Sequence, residues 1–173
     1  FDDVNAISKI AVNTHLAGAA GTVAGATITR LMAGKTDIVM MLNGALAGLV
    51  AITAEPLTPS PLLAILIGFV GALIMYFGTK FLESQRLDDV VGAIPVHMFA
   101  GIFGTLVVPA SNPETNFGTQ FLGVISVCVF SFVLSYFVFR SMKATIGLRI
   151  SKEAEKLGTD KAEVGVVAYS IRD

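Results

Sequence analysis

Polar positions are sparse along most of this chain, and where they cluster they cut it into five apolar stretches. The first runs from about Ala6 to Leu31 and carries Gly18, Gly21 and Gly25. The second runs from about Ile38 to Ala54, with Gly44 and Gly48. Small residues four apart fall on one face of a helix and let a neighbouring backbone approach closely. Three prolines between Pro56 and Pro61 end the second stretch, because proline donates no backbone hydrogen bond. The third stretch, about Leu62 to Leu82, is almost wholly apolar and reads as a helix facing lipid or a partner. Lys80, Glu83, Arg86, Asp88 and Asp89 read as the next loop, and Asp88 or Asp89 is placed to cap a fourth helix that reaches about Val108. The fifth stretch runs from about Phe117 to Leu148. Unbroken, it would extend roughly 48 Å, against a hydrocarbon core of ~30 Å, so it must tilt, bend or project. From Ser151 to Asp173 the chain turns charged and polar, which predicts a soluble tail.

Composition converts these stretches into a class. Hydrophobic residues make up 54% of the chain and charged ones 14%, with a mean hydropathy of +0.75. Soluble domains carry about 25% charge. The expectation is an all-α, polytopic transmembrane bundle of five spans over 1–150, followed by a cytoplasmic tail over 151–173. Lysine and arginine orient it. Arg30 and Lys35 fall in the first loop, Lys80 and Arg86 in the third, and Arg140, Lys143, Arg149, Lys152, Lys156, Lys161 and Arg172 at or beyond the last helix end. The second and fourth loops hold neither residue type. Cationic loops stay in the cytoplasm, so the N-terminal end lies outside and the C-terminal end inside a cell membrane. No basic, aromatic-rich surface points to nucleic acid. Cys128 stands alone, which excludes an internal disulfide. No nucleophile constellation, metal-ligand cluster or phosphate loop points to an enzyme, a metal or a cofactor. The chain opens at Phe1 almost directly in an apolar stretch, as a piece of a longer protein would.

The candidate chemistry sits in Asp88-Asp89-Val90-Val91-Gly92-Ala93-Ile94-Pro95-Val96-His97, followed by Gly101 and Gly104. On a helix, Ala93, His97, Ala100, Gly101 and Gly104 share one face. Pro95 would leave the carbonyl of Val91 without its helical partner, tolerable in lipid only beside protein or a polar cavity. His97 is either a satisfied structural histidine or a functional group in a membrane path. Ionisable side chains within a span are costly, which favours function. His15 lies near the start of the first span, and a role at the membrane interface suits it better than one in a path.

This stretch, together with Val12-Asn13-Thr14 and Asn43-Gly44-Ala45-Leu46-Ala47-Gly48-Leu49-Val50-Ala51-Ile52-Thr53-Ala54, resembles the C-terminal part of the ammonium transporter (Amt/Rh) family. So does the tail, in Gly147-Leu148-Arg149, Glu153, Glu155, Gly158, Asp160, Gly165, Ala168 and Tyr169. The resemblance covers essentially the whole chain. It implies five spans of an eleven-helix ammonium-channel fold, numbers seven to eleven, assembled as a homotrimer with a pore in each subunit. It implies that His97 is one of a pair of pore histidines, that Leu46 and Ala93 are apolar lumen positions near the pair, and that Asn43 and Val91 lie at the inner mouth. It further implies a regulatory tail containing Gly158, Asp160, Gly165 and Tyr169, where a PII-type signalling protein docks. The implied cargo is ammonium or ammonia. A neutral imidazole can both donate and accept hydrogen bonds, so it suits an otherwise apolar path. A non-conducting ammonium sensor on the same fold is the alternative. Two departures stand out: Met98 follows the histidine where the family commonly has Gly, and Val164-Gly165-Val166 stands where its tail often reads His-Gly-Glu.

Overall fold

The computed structural model describes residues 2–167, which fall into two compact units divided between Ser126 and Val127. All regular structure among the described residues is helical. The first unit contains α1 (Asp2–Ala33), α2 (Ile38–Ile52) and α3 (Pro61–Ser84). A fourth element is composite: a π-helical turn over Ile94–Phe99, then α4 (Ala100–Val107), then a 3₁₀ turn over Val108–Ala110. α5 (Phe117–Thr145) begins in this unit and continues into the second, which also holds α6 (Lys152–Leu157) and a π turn over Asp160–Val164.

Helix starts follow from short polar side chains. Asp37 caps α2, its carboxylate accepting from the Met40 N–H at 3.0 Å. Ser60 caps α3 through the Leu63 N–H at 3.3 Å, with Pro61 in the first turn where no donor is missed. α5 stops at Thr145, three residues short of Leu148. Gly147 takes φ +80°, and the N–H groups of Ile146 and Gly147 both close onto the Met142 carbonyl. That left-handed glycine ends the helix as a C-cap.

Glycine and alanine bring the first unit together. α1 buries Asn13, Ala17, Gly18, Gly21, Ala24, Gly25 and Thr29, a stripe at helical spacing. α1 packs on α2 and α3, and the composite fourth element packs on α2 and α3. Gly21 and Gly44 face each other so closely that a Cβ on either would strike the other's carbonyl oxygen. A Cβ on Gly68 would strike the backbone of Ala17, and one on Gly104 the backbone of Ala51. Around these contacts lie two apolar clusters. One is Ala17, Ala51, Ile52, Ala64 and Ile67. The other is Ala47, Met75, Val96 and Ala100.

Of the two placements expected for α3, lipid-facing or packed on a partner, the packed one holds for one face: it lies against α1, α2 and the fourth element and buries positions from Ala64 to Leu82, while Leu62, Leu66, Phe77 and Phe81 stay exposed. Its small residues, Ala64, Gly68, Gly71 and Ala72, are what admit three neighbours. Lys80 belongs to this helix and not to a loop, ion-paired with Glu83 at 2.9 Å. No residue of α5 is buried.

A polar clasp closes the far end of α2. The amide of Asn13, fully buried, donates to the carbonyls of Pro56 and Pro59, each at 2.9 Å. Proline supplies acceptors but no donors, so a proline-rich loop is naturally gripped by a side chain that gives N–H groups. Glu55 accepts from the backbone N–H groups of Leu57 and Thr58 and from the Asn112 amide at 3.1 Å. Thr58 and Ser111 join hydroxyls at 3.0 Å. The two loops at this end are thus tied to each other and to α1.

Candidate functional site

The fourth element starts later than the sequence pattern indicates. Gly92 has φ +75°, so the helical path opens only after it. Asp89 is the capping residue. Its two carboxylate oxygens accept from the N–H groups of Ala93 at 2.9 Å and Ile94 at 2.8 Å. Pro95 has no N–H to satisfy, and the Val96 N–H reaches the Gly92 carbonyl at 3.2 Å. Pro95 thus sits in the first turn, where a missing donor is harmless. This corrects the expectation that it strips a helical partner from Val91. The Val91 carbonyl lies outside the helix and accepts from the Asn43 side-chain amide at 3.0 Å.

The π-helical turn then carries His97. Such turns insert an i→i+5 bond and rotate the later residues around the helix axis. The five small and polar residues read as one face consequently divide. Ala93 and His97 are exposed, Gly101 is half-buried, and Ala100 and Gly104 are buried against neighbouring helices. Leu46 is 47% exposed on α2, one turn from Asn43. Met98, beside the histidine, is also 47% exposed. The structure brings Asn43 and Val91 into contact, and leaves Leu46, Ala93 and His97 as exposed positions of two packed elements. His15 is exposed on α1, and its Nδ1 bonds within its own helix to the Ala11 carbonyl at 2.7 Å.

In the second unit, Ser151 caps α6 through the Ala154 N–H at 3.1 Å, and Arg149 pairs with Glu155. Gly158 has φ +96° and Gly165 φ +74°, conformations that suit glycine. A Cβ on Gly158 would come within 2.6 Å of a carboxylate oxygen of Asp160. Tyr169, with Ala168, lies outside the described residues.

The sequence offered Asp88 or Asp89 as the cap, and Asp89 takes that role; the role of Asn13 was missed. The three prolines were the signal for Asn13, since they leave a loop of acceptors needing a donor.

A profile of the Ammonium Transporter Family matches residues 2–169. The chain belongs to the ammonium transporter family. Among curated relatives, the ammonium transporter Amt2 of Archaeoglobus fulgidus is 40% identical over 183 residues, covering 94% of this chain and 39% of its own. The ammonium transporter Amt1 of Methanocaldococcus jannaschii is 30% identical, covering 95% of this chain and 43% of its own. The chain thus spans well under half the length of these relatives. Of the solved structures, one described as a sensor Amt protein superposes with a TM-score of 0.83 at 31% identity, over 91% of this chain and 42% of that one. Mep2 of Candida albicans superposes with a TM-score of 0.77 at 23% identity, over 91% and 39%, and shares the fold. Membership makes this ammonium transporter family chain a membrane protein. α3 and α5 are each long and apolar enough to cross a bilayer, and α2 and the Ile94–Ala110 segment are shorter apolar helices.

Proposed function

We propose that the protein moves ammonium or ammonia across a membrane, and that His97 is the polar step in an otherwise apolar path. The observation that carries this is the placement of His97. It is the exposed ionisable side chain of a π-helical turn, in an element packed on α2. Ammonium sheds its hydration at high cost, so an apolar path rejects the ion unless polar groups replace some of that water. An imidazole replaces it with either a donor or an acceptor. The names of the relatives as ammonium transporters support this cargo.

The test is uptake by the full-length protein in liposomes, where a concentration-dependent ammonium flux well above empty vesicles is expected. The same assay reads the tail. Gly158→Asp places a side chain at φ +96° beside Asp160, and a tail that governs conduction should lower the flux of that variant. A wild-type flux in Gly158→Asp would remove the tail from the mechanism. The second reading is a non-conducting sensor, favoured by the likeness to the sensor Amt protein. Saturable ammonium binding with no flux in the same vesicles would select it.

The orientation proposed is N-terminal end outside and C-terminal end in the cytoplasm, on the alternation of Lys and Arg among loops. Single cysteines replacing Ser60 and Ser84, in a Cys128→Ser background, should react with an impermeant thiol reagent from outside and inside respectively. The reverse pattern inverts the topology.

A further inference from the structure

The turn that introduces His97 packs on α2 and α3 through Val96 and Phe99, and just ahead of it the chain takes a side-chain hydrogen bond from α2. The geometry points to Asn43 as a positioning residue: it ties the Val91 carbonyl to α2 just ahead of the Asp89-capped start of the π-helical turn, and thereby helps set the place of His97. Every backbone donor from Gly92 to Val96 is satisfied within the segment: Gly92 on the Asp89 carbonyl, Ala93 and Ile94 on the Asp89 carboxylate, and Val96 on the Gly92 carbonyl, with Pro95 having none. The Val91 carbonyl is taken by a residue 48 positions away, the Asn43 amide at 3.0 Å. The contact is exposed, so a carbonyl that lost this donor would turn to water, and the segment would no longer be tied to α2 at this point. Gly92 is shaped for this contact. Its φ of +75° turns the chain, and a Cβ there would stand 2.6 Å from the Asn43 amide nitrogen. The side chain of α2 and the backbone of the turn therefore interlock, and His97 stands one helical turn beyond.

The inference rests on the transport reading for its functional consequence, and its geometry is testable apart from flux. Asn43→Asp keeps the shape and removes the donor, setting an acceptor against a carbonyl. Asn43→Ala removes both, and Gly92→Ala attacks the same contact from the other side. In the full-length protein, amide exchange over Ala93–Phe99 should quicken in all three variants. Their maximal ammonium flux in liposomes should fall about 10- to 100-fold, the scale on which small misplacements of a reacting group act. The half-saturating concentration should stay at the wild-type value, and Asn43→Gln, which keeps the donor, should retain more flux than Asn43→Asp. A raised half-saturating concentration with unchanged exchange would mean that Asn43 meets the cargo itself, and would overturn the positioning role. Wild-type flux and exchange in the Asn43 and Gly92 variants would overturn it too, while leaving the transport reading intact. A wild-type protein with no ammonium flux would instead overturn the transport reading.

Discussion

His97→Ala in the full-length protein is expected to lower ammonium flux about tenfold, the factor equivalent to one lost hydrogen bond of ~1.4 kcal/mol, with potassium still excluded. The alanine leaves an apolar gap where an imidazole offered a donor or an acceptor. The cargo then crosses that stretch with less of its hydration replaced. His97→Asp should behave differently. A carboxylate in an apolar path must protonate or, if it stays charged, draw water or a cation with it, because an uncompensated charge in a low-dielectric medium is costly. A wetter path rejects potassium poorly, since that ion is close in size to ammonium. The Asp variant should therefore pass both ions. Parallel ammonium and potassium fluxes in liposomes, with protein amounts matched, make the measurement. If both variants keep wild-type flux and selectivity, His97 is a structural residue and the path lies elsewhere.

As a candidate, the histidine stood out in the sequence because an ionisable residue within an apolar segment has few innocent explanations. Its surroundings were less so. A helical wheel drawn through Ala93, His97 and Gly101 assumes an unbroken 3.6-residue period. Gly92 delays the helix and the π-helical turn breaks that period, so Ala100 and Gly104 turn inward while His97 does not. Pro95 shows the same limit. Its missing donor is evident from the sequence, but whether that matters depends on where the helix starts. The Asp89 caps place the start immediately before it. Helix existence, by contrast, was readable. Four of the five apolar stretches became single helices within a few residues of their expected ends, and the fourth became the composite element. The place of α3 was not, since a glycine-rich apolar helix has the same pattern whether it touches lipid or three other helices. Asn43 and Val91, 48 positions apart, meet through a hydrogen bond that no local period encodes.

The close helix contacts carry a second large expectation, because one substitution should change sign with its position. Gly→Ala adds the same methyl group everywhere. At Gly21, Gly68 and Gly104 that methyl would strike backbone atoms of Gly44, Ala17 and Ala51 respectively. Backbone in a packed helix yields only if the helix moves, so overpacking here should cost at least ~1–3 kcal/mol and lower the unfolding midpoint of the full-length protein in detergent. At Gly18 the obstacle is the side-chain tip of Leu49, 2.9 Å away, and a leucine can change rotamer. Gly18→Ala should be milder. At Gly123, within α5, a Cβ meets nothing within 4 Å. There the gain in helix preference stands unopposed, and Gly123→Ala should be neutral or stabilising by ~0.5–1 kcal/mol. The ranking tests the packing more sharply than any single value. Gly68→Ala and Gly104→Ala melting with the wild type would mean that α1, α2, α3 and α4 do not approach as described. The platform that presents Asn43 to Val91, and with it the placement of His97, would then need a different basis.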